Sequence, residues 1–382
     1  MAVDVVIIGG GPVGLYLAAA LLQQGISVRV LEQRKFPNRH SRAIGIHPPA
    51  LSALDAVQVA PSLVREGVQI RTGMAMSGGK TVGVMPFDGV SDAFPFVLAL
   101  PQSRTEQLLE ERVRCLDSGA LVRCVEATGV TDDGGRVTVA VKAQPGAPAE
   151  QREVSASLVV AADGARSRIR DALAVPVQRR TYPDHYLMGD FADSRLQGDM
   201  AVLFLERHGI VESFPLPDGK RRWVVRLSAP AGNAGAGELA RMVEHRTGIL
   251  PDAATNTMVS AFSVRSTLAD HAVVGRTVLV GDAAHEISPI GGQGMNLGWL
   301  DAQALVPLLR EALDGKPLDH KFRQYERERR RAATLARRQA EINMLLGRPL
   351  PAPLLRLRNA GIGAAAATPA VNRWVARRFT MQ

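Results

Sequence analysis

Six residues near the start of the chain, Gly9-Gly10-Gly11-Pro12-Val13-Gly14, constrain its fold more than any other stretch. Before them Val3–Ile8 is a β-branched run, the pattern of a buried parallel strand. After them Leu15–Gln24 reads as an apolar helix closed by Gly25. Ser27–Leu31 is the next strand, and Glu32 stands at its end. Strand, G-x-G-x-x-G, helix, strand and acid within about 30 residues is the pattern of a dinucleotide site. Gly9 allows the tight turn, Gly11 lets backbone approach a pyrophosphate, and Gly14 lets helix and strand pack closely. Pro12 and Val13 complete the loop, whose helix offers unpaired N–H groups to phosphate. Glu32, followed by Gln33, is suited to a ribose diol and would repel a 2′-phosphate, so NADP is excluded from this site. The motif alone does not separate NAD from FAD.

Two later motifs favour flavin. Val278–Val280 is another apolar strand running into Gly281-Asp282-Ala283-Ala284-His285. Pro289-Ile290-Gly291-Gly292-Gln293-Gly294-Met295-Asn296 follows and opens a helical pattern. NAD needs no second anchor so late in a chain, whereas the ribityl hydroxyls of FAD do, and Asp282 suits one of them. A helix starting near Gly294 would aim its positive end at the flavin pyrimidine. Between the two lies Asp163-Gly164-Ala165-Arg166-Ser167-Arg168-Ile169-Arg170, at the end of the apolar run Val159–Ala162.

In this order the three motifs resemble the single-component aromatic flavoprotein monooxygenases of the para-hydroxybenzoate hydroxylase fold, over residues 1 to about 340. The resemblance implies an α/β fold: a discontinuous Rossmann-like FAD-binding domain, an antiparallel β-sheet substrate domain and C-terminal helices. It implies FAD as cofactor, NADPH or NADH as transient reductant, and hydroxylation of a small aromatic substrate by O2 through a flavin C4a-hydroperoxide. Gly9, Gly11, Gly14 and Glu32 would hold the ADP half. Arg42 resembles the arginine beside the moving flavin, and Gln102 the residue touching the ribityl chain. Asp282 would hold the ribityl, Pro289 would lie over the ring system, and Gly294, Met295 and Asn296 would line the pyrimidine, with Gly292 a further cofactor-binding residue. Asp163 would serve the pyrophosphate and the pyridine nucleotide. Arg42, Pro289 and His47 are the candidate catalytic residues. His285 is read as a structural residue under the Gly-Asp turn. An epoxidase, a Baeyer–Villiger-type oxygenase or a reductase on the same scaffold is the alternative.

The FAD-binding domain is expected over residues 1–70, 101–175 and 271–320, and the substrate domain over 71–100 and 176–270. Met200–Glu206, Gly209–Leu216, Arg221–Ser228 and Met258–Thr267 read as strands, with Pro217-Asp218-Gly219-Lys220 as a hairpin turn. Val137–Lys142 and Glu153–Val160 read as another hairpin. Phe204, Phe214 and Trp223 are the candidate substrate-binding residues. Pro289 joins them, and Phe94, Phe96, Leu216, Met74 and Met76 are further apolar candidates.

Net charge is +9, but residues 321–382 hold 14 Lys/Arg against 3 Asp/Glu, and the first 320 hold 32 against 34. The body therefore gives no electrostatic reason to expect nucleic acid. Residues 321–382 read as basic helices packed on the flavin domain, with peripheral contact to an anionic membrane as the sharper reading. No apolar run approaches a membrane span and the N-terminus carries no export signal, so a cytoplasmic location is expected. Cys115 and Cys124 read as free thiols. None of the eight His stands at H-x-x-x-H spacing, and G-x-S-x-G and C-x-x-C are absent, so no metal site is expected. Monomer and homodimer are equally compatible with the sequence.

Overall fold

A computed structural model describes residues 3–37, 42–147, 152–194, 196–317 and 319–382. The β-branched run at the start forms the strand Val3–Ile8, whose Val5, Val6 and Ile7 are fully buried. It pairs in parallel with Val28–Glu32 on one side and Glu153–Ala161 on the other. Leu121–Arg123 and Thr277–Leu279 extend the parallel set outward. A strand buried on both faces has no polar side to present to water, which is why Val5–Ile8 and Leu158–Ala161 are unbroken apolar runs. Val137–Ala143 and Val125–Asp132 branch off as antiparallel strands, so the expected 137/153 hairpin forms. The helices Pro12–Leu22, Gln102–Leu116 and Gln293–Leu313 cover one face.

A second eight-stranded sheet runs, in spatial order, His285–Glu286, Met258–Ala269, Val177–Ala192, Lys220–Leu227, Val211–Leu216, Ala201–Phe204, Thr72–Ser77 and Lys80–Pro86. Its expected hairpin closes through Asp218 and Gly219, both at positive φ, the geometry that the right-handed strand twist favours. The expected antiparallel sheet forms, with one pair that runs the other way. Ala201–Phe204 pairs in parallel with Thr72–Ser77, because the chain returns from a distant segment rather than through a tight turn.

Side chains alternate across this second sheet. Leu187, Phe191, Val202, Phe204, Val211, Trp223 and Val225 face the helix Ala236–Thr247, through its Leu239 and Val243. This helix interrupts a region that reads as strands in the sequence. Tyr186, Met188, Val224, Phe214, Met258 and Phe262 gather on the other face.

The basic C-terminal region is helical as expected, but its packing differs. Only Asp319–Leu346 lies on the first domain's helix Gln293–Leu313. Ala352–Ala367 and Pro369–Phe379 pack on the strand Lys80–Pro86 of the second sheet. Gly83 permits this approach: a Cβ there would stand 2.7 Å from the Ala366 Cβ. Asn372 secures the next helix by donating to the Val84 carbonyl at 2.9 Å. No helix among the described residues is long and apolar enough to cross a membrane.

Candidate active site

The glycine loop divides its labour as the motif requires. A Cβ on Gly14 would stand 2.0 Å from the Gly9 carbonyl oxygen, so only glycine lets the helix sit on the turn. Gly9 adopts φ 107°, and a Cβ there would meet the Ala162 carbonyl oxygen at 2.4 Å. Gly11 is different: a Cβ there would meet nothing within 4 Å, because it faces a cleft. Gly11 also caps the helix without a side-chain hydrogen bond, leaving the first N–H groups turned to that cleft.

Glu32 is buried at the cleft wall and accepts from the Gly10 N–H at 2.9 Å and the Arg34 N–H at 2.7 Å. Burial alone would raise its pKa. The hydrogen bonds and charge of Arg34, with the Gly10 N–H, outweigh burial and hold it below the usual carboxylate range. Arg34 is a partner that the sequence reading leaves out, and its ion pair at 3.0 Å offsets the negative charge of Glu32. Pro12, Val13 and Gln33 line the same cleft.

The mid-chain and late motifs meet here too. Arg170 is buried and donates to the Ala283 carbonyl at 3.2 Å, tying the Asp163-Gly164 turn to the Gly281-Asp282 turn. Asp163 accepts from the Ile169 N–H through Oδ2, while its buried Oδ1 has no partner. Burial pushes its pKa up. Asp282 is exposed to the cleft with protein ringed about it, and this enclosure pushes its carboxyl up to about 6. Gln102 donates to Glu106 at 2.7 Å, and both line the cleft. Glu106 escapes the sequence reading, because a helical Glu usually faces solvent. His285 is bonded to the buried Asp301, in keeping with a structural role.

Pro289, Gly292, Gly294 and Met295 line the cleft, but Asn296 does not. Asn296 is fully buried, and its amide donates to the carbonyls of Gly45 at 2.9 Å and Gly292 at 2.6 Å. Its side chain thus braces the loop rather than lining the cavity. His47 is buried at the cleft and contacts the Gly291 carbonyl through Nε2 at 3.3 Å. Burial drives its pKa down to about 4, so its ring is neutral at pH 7. Phe379, from the last helix, meets the His47 ring edge-on at 5.5 Å and also lines the cleft. Arg42 reaches across to the second sheet, with Nε 3.3 Å from Ser260 Oγ and its guanidinium 5.3 Å from the Phe262 ring centre.

Of the proposed substrate contacts, Phe214 lines the cleft beside Met188, Val224, Met258 and Phe262. Phe204 and Trp223 do not. They stack on each other at 5.9 Å on the opposite face, inside the core under the Ala236–Thr247 helix. Met74 and Met76 also pack on that face, Phe94 and Phe96 belong to the first domain's core, and Leu216 is buried off the cleft. Glu212 also lines the cleft, at a position where strand alternation alone does not tell core from cavity.

The cleft holds about 1090 Å³, beyond the ~300–1,000 Å³ usual for one small ligand. An open glycine, an uncapped helix N-terminus, a carboxylate at a strand end and the Asp163 turn all line it, and these fit an FAD. The arrangement defines a two-layer dinucleotide-binding flavoprotein with a sheet laid over the cofactor cleft. The profile of the FAD binding domain family matches residues 2–340. Rifampicin monooxygenase of Streptomyces venezuelae is 31% identical over 93% of this chain and 74% of its own length. The 6-methylpretetramide 4-monooxygenase of Streptomyces rimosus is 32% identical over 85% of this chain and 59% of its own. The crystal structure of p-nitrophenol 4-monooxygenase from Pseudomonas putida superposes with a TM-score of 0.86 at 25% identity, covering 98% of this chain and 97% of that one. The chain belongs to the FAD binding domain family and is an FAD-dependent monooxygenase.

Proposed function

We propose that this enzyme hydroxylates a phenolic, quinol or polycyclic aromatic ring, consuming NAD(P)H and O2. The observation that carries this reading is one continuous cleft, walled on one side by the three glycine–acid motifs and on the other by Met188, Phe214, Val224, Met258 and Phe262. The names of the three relatives above, a rifampicin, a 6-methylpretetramide and a p-nitrophenol monooxygenase, support it.

Bound FAD supplies the electron storage and oxygen activation of the reaction. In this reading residues 1–70, 101–175 and 271–320 hold it, and 71–100 with 176–270 hold the substrate. The Gly9–Gly14 loop and the first N–H groups of the Pro12–Leu22 helix bind the pyrophosphate, and Glu32, with Gln33, binds the adenosine ribose. Gln102, Asp163 and Asp282 take the hydroxyl-rich middle. Pro289, Gly292, Gly294 and Met295 shape the ring end, with Asn296 bracing them. The N-terminus of the Gln293–Leu313 helix turns its positive end toward charge gathering there. Arg42 links this end to the substrate sheet. The apolar sheet face, with Phe379, keeps water from the reacting oxygen. His47, neutral at pH 7, shapes the wall and carries no charge into it.

The test is NAD(P)H consumption by purified holoenzyme with a panel of phenols and polycyclic phenols under 18O2. Ring-stimulated consumption and a product carrying one labelled oxygen are expected. Consumption that ignores every ring and releases only hydrogen peroxide would overturn the reading.

A further inference from the structure

Glu212 stands in the apolar wall of the cleft, on the strand Val211–Leu216. Its register partners are Val224 and Leu203, and Met188 lies opposite Val224 one strand further on. Only 8% of the residue is exposed. The other two buried carboxylates of this face are ion-paired: Asp190 with Arg222 at 2.6 Å, and Asp184 with Arg226 at 2.9 Å and Arg348 at 2.8 Å. Glu212 has neither a hydrogen bond nor an ion pair from its side chain among the described residues. A buried carboxyl without a protein partner is costly unless it is neutral or a ligand supplies the partner. Glu212 opens on the cavity, so a ligand can supply that partner.

We infer that Glu212 is the substrate-selecting residue of this cleft. It hydrogen-bonds a hydroxyl on the aromatic ring and, when ionised, excludes rings that present a carboxylate at the same place. This rests on the hydroxylase reading above and names the polar group that its substrate carries.

The chemistry follows from the donor set. A protonated carboxyl both donates and accepts, and an ionised one only accepts. A neutral ring hydroxyl satisfies either form. A ring carboxylate is satisfied only by the protonated form, since against the ionised form it places two like charges in an apolar wall. Burial raises the Glu212 carboxyl to about 7, so both forms are populated near neutrality. The groups facing it from neighbouring strands are Tyr186 of Val177–Ala192, whose phenol burial and then the Glu212 charge push up, and the Arg222–Asp190 and Arg226–Asp184–Arg348 pairs. Arg222 and Arg226 are already engaged by carboxylates of the same sheet and Arg265 by Glu286, while Arg42 lies over the Phe262 ring.

The test uses FAD-loaded enzyme and two bicyclic probes, 2-naphthol and 2-naphthoate, with binding measured calorimetrically at pH 6 and pH 8. Wild type should bind 2-naphthol equally at both values and lose about tenfold in affinity for 2-naphthoate at pH 8, following the protonated fraction of one group. Glu212→Gln should bind both probes without pH dependence. Glu212→Leu, which keeps the wall apolar, should weaken 2-naphthol about tenfold or more. Failure of 2-naphthol to bind, or the same pH dependence in wild type and Glu212→Gln, would overturn the assignment. Because the readout is binding, it is independent of whether any probe is hydroxylated, so loss of the hydroxylase reading and loss of this one are told apart.

Discussion

Asn296 Oδ1 accepts the backbone N–H of His47 at 2.8 Å, joining segments 249 residues apart. The same amide donates to Gly45 and Gly292, so one side chain sets the spacing between the His47 turn and the glycine loop at the ring end of the cleft. Asn296→Ala would remove three hydrogen bonds from a buried side chain. The expected cost is about 2–4 kcal/mol. A Tm several degrees lower and FAD lost on gel filtration check it.

Gly11 and Gly14 should respond oppositely to the same added methyl. Gly14→Ala drives a Cβ onto the Gly9 carbonyl, so loss of soluble folded protein is expected. Gly11→Ala meets no protein atom, so folding should be unchanged by circular dichroism while FAD affinity falls at least about tenfold, the methyl occupying the ligand's approach. Equal FAD affinity in Gly11→Ala would remove this loop from the cofactor site.

Burial pulls the His285 pKa down, but the Asp301 charge and hydrogen bond outweigh it and hold it above the ordinary histidine value. The sign follows from linkage. The pair's contribution is full below the unfolded value, about 6.5, and is lost as pH rises through the raised folded value. Tm should therefore fall with pH above about 6.5, and the wild-type minus His285→Gln difference should carry that loss. A difference that stays flat with pH would refute the pairing.

Two aromatic residues on adjacent strands should also separate. Trp223→Ala empties the core under the Ala236–Thr247 helix and should cost about 3–5 kcal/mol, with KM unchanged in the protein that folds. Phe214→Ala removes cleft wall, so KM for the aromatic substrate should rise with a smaller loss in Tm. Denaturant midpoints and steady-state kinetics on both variants decide it.

The nucleotide half of this protein is legible in its sequence because its determinants are local. Gly9, Gly11, Gly14 and Glu32 fall within one strand–turn–helix–strand unit, where spacing dictates geometry. Asp163-Gly164 and Gly281-Asp282 each end an apolar strand and are readable for the same reason. That Arg170 ties these two turns together is a contact across 113 residues, which spacing alone does not specify. The substrate half is a different matter. Alternation along Val211–Leu216 and Lys220–Leu227 establishes that each strand has two faces, but not which face meets a helix and which meets the cleft. The Ala236–Thr247 helix took Phe204 and Trp223 into the core and left Phe214 and Glu212 to the cavity. The last two helices, Ala352–Ala367 and Pro369–Phe379, likewise settled on the second sheet, where Gly83 leaves room, rather than on the first domain. Local backbone chemistry is written in neighbouring residues, whereas burial is decided by which distant surface arrives, and only the assembled chain supplies that surface.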